Sequence, residues 1–342
     1  FEFSDAEVQA MQTLPPITGA RVHASLGGHR FAVTLEAGEM TAPQGGVIDA
    51  TGSTLRVSDM RQKPAVAELL LKTRAPVTAA LSVLDLEPFR FLTKAGQPVD
   101  LAEGVGWAEG RITFPLKGKL QGSDVDFEVV ANAETLISEV LVPGRVLEGR
   151  SGRLLARPTG LEITGDGDLD GVPFTGAVVQ IPLGEDAPAP TVDGEVEIGE
   201  NFVETFGIGL PEGSVKGAGP ANFALEFPGD APIRYSMSSQ MRGVVLSLEP
   251  LGWVKPARSE GRLELSGRLG AQPSVDELTL RGAGLTAEGS VTTTAEGGLE
   301  EARFTRVSAG GWLDAPVLLK GRGLGREPAI EVRGGRIDIR KT

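Results

Sequence analysis

The chain contains no cysteine. This excludes a disulfide framework, thiolate metal ligands and thiol catalysis, and it leaves the compartment open. Aromatic residues make up only 5% of the sequence, so aliphatic side chains must carry the apolar surface. Histidine occurs twice, at His23 and His29. The two flank "ASLGG", a turn between two strands, and are expected to face each other across a hairpin as surface or edge residues. A metal site there would need a further ligand, and none is nearby. Basic residues are outnumbered: 33 Lys and Arg stand against 46 Asp and Glu, a net charge of −13. That argues against nucleic acid as a main partner, because phosphate binding needs concentrated positive charge. It also argues against broad adhesion to anionic membranes. No apolar run approaches the roughly 18 residues that span a bilayer. The start, "FEFSDAEVQ", has neither an initiating Met nor a signal peptide. The chain is therefore read as a fragment, with any anchor or export signal outside it.

What is abundant is glycine and proline, with 47 and 23 residues. They are scattered among apolar residues that keep a strict period, which argues for many turns and short strands and against disorder. Apolar residues recur at every second position in "GRITFPLKG" (Ile112, Phe114), "SDVDFEVVA" (Val125, Phe127), "ANFALEFPG" (Phe223, Leu225, Phe227) and "GRLELSG" (Leu263, Leu265). The stretch "VDELTLRGAGLTAEGSV" adds Leu278, Leu280, Leu285 and Val291. In "PAIEVRGGRIDIRKT", Ile330 and Val332 are expected to pair with Ile337 and Ile339 across a Gly334–Gly335 hairpin. Strand side chains alternate faces, so each run predicts one apolar and one polar face. The expected fold is all-β with a few short helices, an antiparallel meander with one side apolar.

Four segments break the period and read as one to three helical turns. They begin near Ser4 (with Glu7 in a capping-box position), Asp85, Glu200 and Glu249. Their expected role is to plug or cap the open side of the sheet, and their uneven spacing excludes a fixed-period solenoid. The acidic stretch "GEDAPAPTVDGE" is the best boundary, giving segments 1–187 and 188–342. It reads either as a linker or as one long turn within a continuous sheet. Charge is uneven. Residues 303–342 hold nine basic and four acidic side chains, a balance of +5, leaving −18 for the remainder. This reads either as a solvated outer face or as a patch near lipid phosphates or an acidic partner.

No catalytic constellation emerges. Asp166, Asp168, Asp170 and Gly171 match the opening of a calcium loop, but the twelfth position is Ala177 instead of Glu, and the flanks read as strands. A tight polar turn explains the run. There is no G-x-S-x-G elbow and no glycine-rich loop with a phosphate-binding lysine. Trp107, Trp253 and Trp312 are isolated and read as packing. No catalytic residue, metal or cofactor is expected.

A one-sided sheet must bury its apolar face by folding into a sandwich, closing into a barrel, or curling around something else. The order of motifs in "GRLELSGRLGAQPSVDELTLRGAGLTAEGSVTTTAEGGLEEARFTR" resembles the repeat of AsmA-like proteins. "PVDLAEGVGWAEGRITFPLKGKL", "VPGRVLEGRSGRLLARPTGLEITGDGDLDGVPF" and "PAIEVRGGRIDIR" resemble their YhdP-type branch. The resemblance implies a bridge-like lipid transfer protein in the periplasm of Gram-negative bacteria, built as an elongated, curled antiparallel sheet forming a one-sided hydrophobic groove. Its parent would be anchored in the inner membrane, with an outer-membrane partner outside this fragment. It implies phospholipid as partner and no catalytic residues. The aliphatic residues named above would contact acyl chains. The alternatives are a non-enzymatic β-sandwich scaffold, as in an outer-membrane assembly or adhesion module, and an enzyme acting on envelope glycans.

Overall fold

Alternation becomes strand almost everywhere in the computed structural model, which describes every residue except 88, 119, 185, 212, 295–297, 324, 325, 327 and 339–342. The chain forms two compact units, Phe1–Asp170 with Gln180–Ala187, and Gly171–Val179 with Pro188–Thr342. The fold is all-β and antiparallel.

The first unit is a meander of β1 (Glu2–Val8), β2 (Ile17–Gly27), β3 (Arg30–Thr41), β4 (Val47–Asp49), β5 (Thr54–Val57), β6 (Val66–Pro76), β7 (Glu103–Pro115), β8 (Asp126–Ser138), β9 (Leu147–Arg157) and β10 (Gly160–Leu169). Strands β4 and β5 lie in line, both between β3 and β6. Helices α1 (Val77–Leu84) and α2 (Phe91–Lys94) interrupt the meander between β6 and β7.

Strand β11 (Val172–Pro182) divides between the units at Val179. The second unit continues with β12 (Thr191–Gly199), helix α3 (Glu200–Thr205), β13 (Val215–Glu226), β14 (Ile233–Ser239), β15 (Val244–Leu248), β16 (Trp253–Lys255), β17 (Gly261–Leu269), β18 (Ser274–Gly282), β19 (Leu285–Thr293), β20 (Leu299–Ala309), β21 (Leu313–Lys320), β22 (Ala329–Val332) and β23 (Arg336–Ile337). Successive strands from β17 to β21 pair with their neighbours in sequence. The Ala283–Gly284 turn shows why: both residues have positive φ, 45° and 81°, the twist that a two-residue hairpin needs. Strands β15 and β16 form a side ribbon branching from the start of β13.

Four local expectations are corrected. The predicted helix at Ser4 is strand β1, because backbone pairing with β2 satisfies the segment's hydrogen bonds and Phe3 falls opposite Val22. A capping-box match without a following helical period does not make a helix. The helix expected from Asp85 shrinks to α2, while α1 lies upstream in "VTAALSVL". That segment has no side-chain cap, and its Ala79, Ala80, Leu81 and Leu84 are good helix formers. The segment at Glu249 makes only one 3-10 turn, through Leu251, before β16. Finally, Gly334–Gly335 is not a hairpin. β22 and β23 both pair with β21, in line along its edge. A side chain at Gly335 would clash with Ala315 Cβ, so the glycines let the strand line bend tightly over β21. The helix expected at Glu200 is present as α3.

The histidines do not face each other. His23 lies opposite Thr34, and His29 occupies the turn with φ of 64°. In the aspartate run, Asp170 accepts hydrogen bonds from Arg145 Nη1 at 2.7 Å and from the Val146 amide at 2.8 Å. Among the described residues no cluster of three or more metal-ligating side chains occurs.

The side ribbon is pinned by a buried lysine. Lys255 is wholly inaccessible to solvent, and its Nζ donates to the carbonyls of Met241 (2.6 Å), Val244 (2.9 Å) and Pro256 (3.1 Å). Burial pulls its ammonium below the usual lysine range, while three aligned acceptors satisfy all its donors. Lys255→Met should therefore cost about 2 kcal/mol or more, since it leaves buried carbonyls unpaired. Urea unfolding measures this, and an unchanged midpoint would show that the lysine does not hold the ribbon.

Candidate functional site

Strand register decides where the aliphatic residues go. In the second unit Phe223 lies opposite Met237 and Leu225 opposite Tyr235. Met237 is in turn opposite Leu265, Leu265 opposite Leu278 and Leu263 opposite Leu280. The row continues through Val275 with Val291 and Leu280 with Ala287, Leu285 with Ala309, Leu319 with Ile330 and Val317 with Val332, and Leu313 with Ile337. Phe227 follows in phase just past β13 and is half-buried. Residues named from the sequence thus share one face. Ile339 lies outside the described residues.

The first unit repeats the pattern. Phe31 is opposite Val57, Leu55 opposite Leu69, Ala67 opposite Phe114 and Leu69 opposite Ile112, Ile112 opposite Phe127, and Leu154 opposite Ile163. Val125 is half-buried just before β8. Leu69, Leu154 and Ile163 join this face although the sequence did not single them out. Leu69 and Leu154 sit in unbroken apolar runs, "AELLLK" and "GRLLAR", where alternation cannot be read, whereas Ile163 alternates with Leu161 in "GLEITG".

Each face carries buried clusters. In the second unit Trp253 and Leu285 form a buried cluster with Ala287, Val307, Ala309 and Leu313, against which Leu246, Leu248 and Leu251 of the ribbon segment pack. Trp253 Nε1 donates to the Ala283 carbonyl at 2.9 Å, tying the ribbon across the sheet. Phe202 and Val203 of α3 pack on the adjoining cluster of Ile198, Ala221 and Val244. In the first unit α1 inserts Ala79 among Met40, Ala42, Ile48 and Ala75.

Away from these clusters the cover is incomplete. Phe223, Leu225, Leu265, Leu278 and Val291 are only half-buried, as are Leu69, Ile112, Phe114 and Phe127. Ile330, Val332 and Ile337 at the β22–β23 edge are 58%, 43% and 51% exposed. In a closed two-layer core such mid-strand residues lose nearly all contact with water. Tyr235 sits on this face with its hydroxyl donating to the Ser274 carbonyl at 3.1 Å, and burial pushes its phenol upward, helped by Asp276.

The opposite face is wet and charged. Arg281 pairs with Glu288 at 2.6 Å, Arg306 with Asp314 at 3.2 Å and Lys320 with Glu331 at 2.7 Å. Arg303 pairs with Glu301 at 2.8 Å. Much of the basic excess near the C-terminus is thus spent in exposed cross-face pairs, each worth about 0–1 kcal/mol. Arg262 holds the Glu264 carboxyl below its usual range. A trough of about 810 Å³ lies on this side of the second unit, with Asp193, Glu195, Asn222, Ser236, Ser238 and Glu264 among its lining residues. Its carboxylates make it a poor seat for an anion.

No known protein family, curated protein or solved structure matches the chain.

The half-open face has an energetic signature. Leu285, 2% exposed, should cost about 3 kcal/mol on truncation to Ala, because a closed void remains. Leu265→Ala should cost only about 1 kcal/mol, because a leucine only partly buried gives up less transfer energy and leaves no sealed cavity. Equal losses in chemical denaturation would mean that Leu265 is sealed by the protein itself.

Proposed function

We propose that the chain is a segment of a periplasmic bridge that carries phospholipid, with acyl chains lying on the half-covered aliphatic faces. The observation that supports this reading is the registered row from Phe223 through Leu265 and Leu278 to Val291, which no second layer seals. Moving an acyl chain of about 16 carbons into water costs on the order of 12 kcal/mol, at about 0.8 per methylene. A continuous aliphatic face offsets most of that cost. A smooth aliphatic row also suits sliding, because it offers few polar groups that would hold a chain in one place.

The mechanism is partition and not chemistry. Tails contact the aliphatic face, and head groups stay in water at its open side. Compartment, inner-membrane anchoring of the parent and transfer toward the outer membrane rest on the resemblance to AsmA-like proteins. A second reading, a non-enzymatic scaffold with a dry core, draws on the sealed clusters around Leu285 and Ala79. It accounts for those clusters and leaves the half-exposed rows unexplained.

The test uses alternation as its own control. A photo-crosslinking residue replacing Leu265 should capture phospholipid in cells, and the same residue at Glu264, one position along and on the other face, should not. Equal labelling at both positions would contradict the assignment.

A further inference from the structure

Two neighbouring arginines on the polar face of the first unit lack a carboxylate. Register places them. One line of cross-strand neighbours runs through Ser25, Ala32, Arg56, Glu68 and Thr113, across β2, β3, β5, β6 and β7. Arg30 lies two residues before Ala32 and so shares this face. It is a diagonal neighbour of Arg56, with the two backbones about 7–8 Å apart. Glu68 is directly opposite Arg56, the position from which an acid normally neutralises a base. Its carboxylate goes to Arg111 instead, at 3.2 Å, and the next acid along, Glu128, goes to Arg157 at 2.8 Å. Among the described residues Arg30 and Arg56 form no ion pair.

Both side chains line a trough of about 830 Å³. Its floor is opened by small residues, Gly27 and Ala32, and Ser25, Ser58 and Thr113 bring hydroxyls to it. Among the described lining residues Glu68 is the one acid, and it is already engaged. The trough of the second unit is the converse: Asp193, Glu195 and Glu264 line it, with no lysine or arginine among its described lining residues.

Each guanidinium offers five N–H donors in a planar fork that matches the oxygens of an anion. A carboxylate is saturated by one such fork. Two forks from adjacent strands suit an anion with two charges and three terminal oxygens, which is the chemistry of a phosphate monoester or of phosphate itself. We propose that the first unit binds a phosphate group between Arg30 and Arg56, with the hydroxyls of the trough as further donors. The site lies on the opposite face from the aliphatic row and does not depend on what that row binds.

Calorimetric titration of the whole chain at low salt tests this, with inorganic phosphate and glycerol 3-phosphate as soluble probes. Sedimentation with phosphatidylcholine vesicles, with and without phosphatidic acid, tests the same group on a lipid. Arg30 and Arg56 are exposed, so Arg30→Gln and Arg56→Gln should melt as the wild type does. Each should weaken binding about tenfold, the loss expected for a hydrogen-bonded charge. Glu68→Gln removes the one acid of the trough and should tighten binding. Arg234→Gln removes an exposed arginine of the second unit, paired with Glu226, and should change nothing. Binding of the soluble probes assigns the site to a free phosphate or ester, and binding confined to the phosphatidic acid vesicles assigns it to a lipid head group. Either supports the proposal when the two arginine variants lose it. The proposal is overturned if no probe binds saturably, or if binding survives loss of both arginines. It is also overturned if Arg234→Gln weakens binding equally, or if Glu68→Gln fails to tighten it.

Discussion

Everything in this fold depends on register. Antiparallel pairing, which keeps its phase past β-bulges such as those at Ser266/Gly267 and Val275/Leu278, places most aliphatic residues of the row opposite another, so alternation in single strands becomes a row across many. A slip of one residue in β17 would turn Leu263 and Leu265 to the charged side and bring Arg262 and Glu264 to the apolar one. Charged pairs on the wet face and leucine pairs on the other penalise the same error from both sides. The sheet is therefore well specified even though few of its mid-strand residues are fully buried.

The second constraint is cover. Closed packing lies under α1 in the first unit, with a second buried cluster around Ala20, Val22 and Leu35, and under α3 and the β15–β16 ribbon in the second. These small elements supply the closed packing that a marginally stable protein needs. They leave the rest of the face without a partner layer. Lys255 shows how tightly that division is held, because a fully buried ammonium is tolerated only when its donors are all satisfied. The ribbon is fixed by directional bonds at one end and by Trp253 at the other, so it stays over its own half of the sheet.

The strands were legible in the sequence because period two survives in most of them, and the apolar face of β17, β18 and β19 could be read residue by residue. Four things were not. Unbroken apolar runs such as those around Leu69 and Leu154 hide their phase, since pairing and not composition decides which side each leucine takes. The ribbon was invisible because "VVLSL" and "WVK" are short, and nothing local marks Lys255 as buried. The glycine pair at 334–335 carries a hairpin signal, and only the close approach of Ala315 shows that it bends a single strand line. At the N-terminus a capping-box pattern was outweighed by the edge of β2, a long-range partner that no window of sequence contains.

The central claim is that the aliphatic faces are completed by molecules other than the protein. Native mass spectrometry of the chain purified without detergent tests this most directly. The account predicts species heavier than the 35.7 kDa chain by the mass of one or more phospholipids, and their loss when Leu265 and Leu278 are both replaced by Glu. A folded wild-type chain that carries no lipid, even after incubation with phospholipid vesicles, would contradict it.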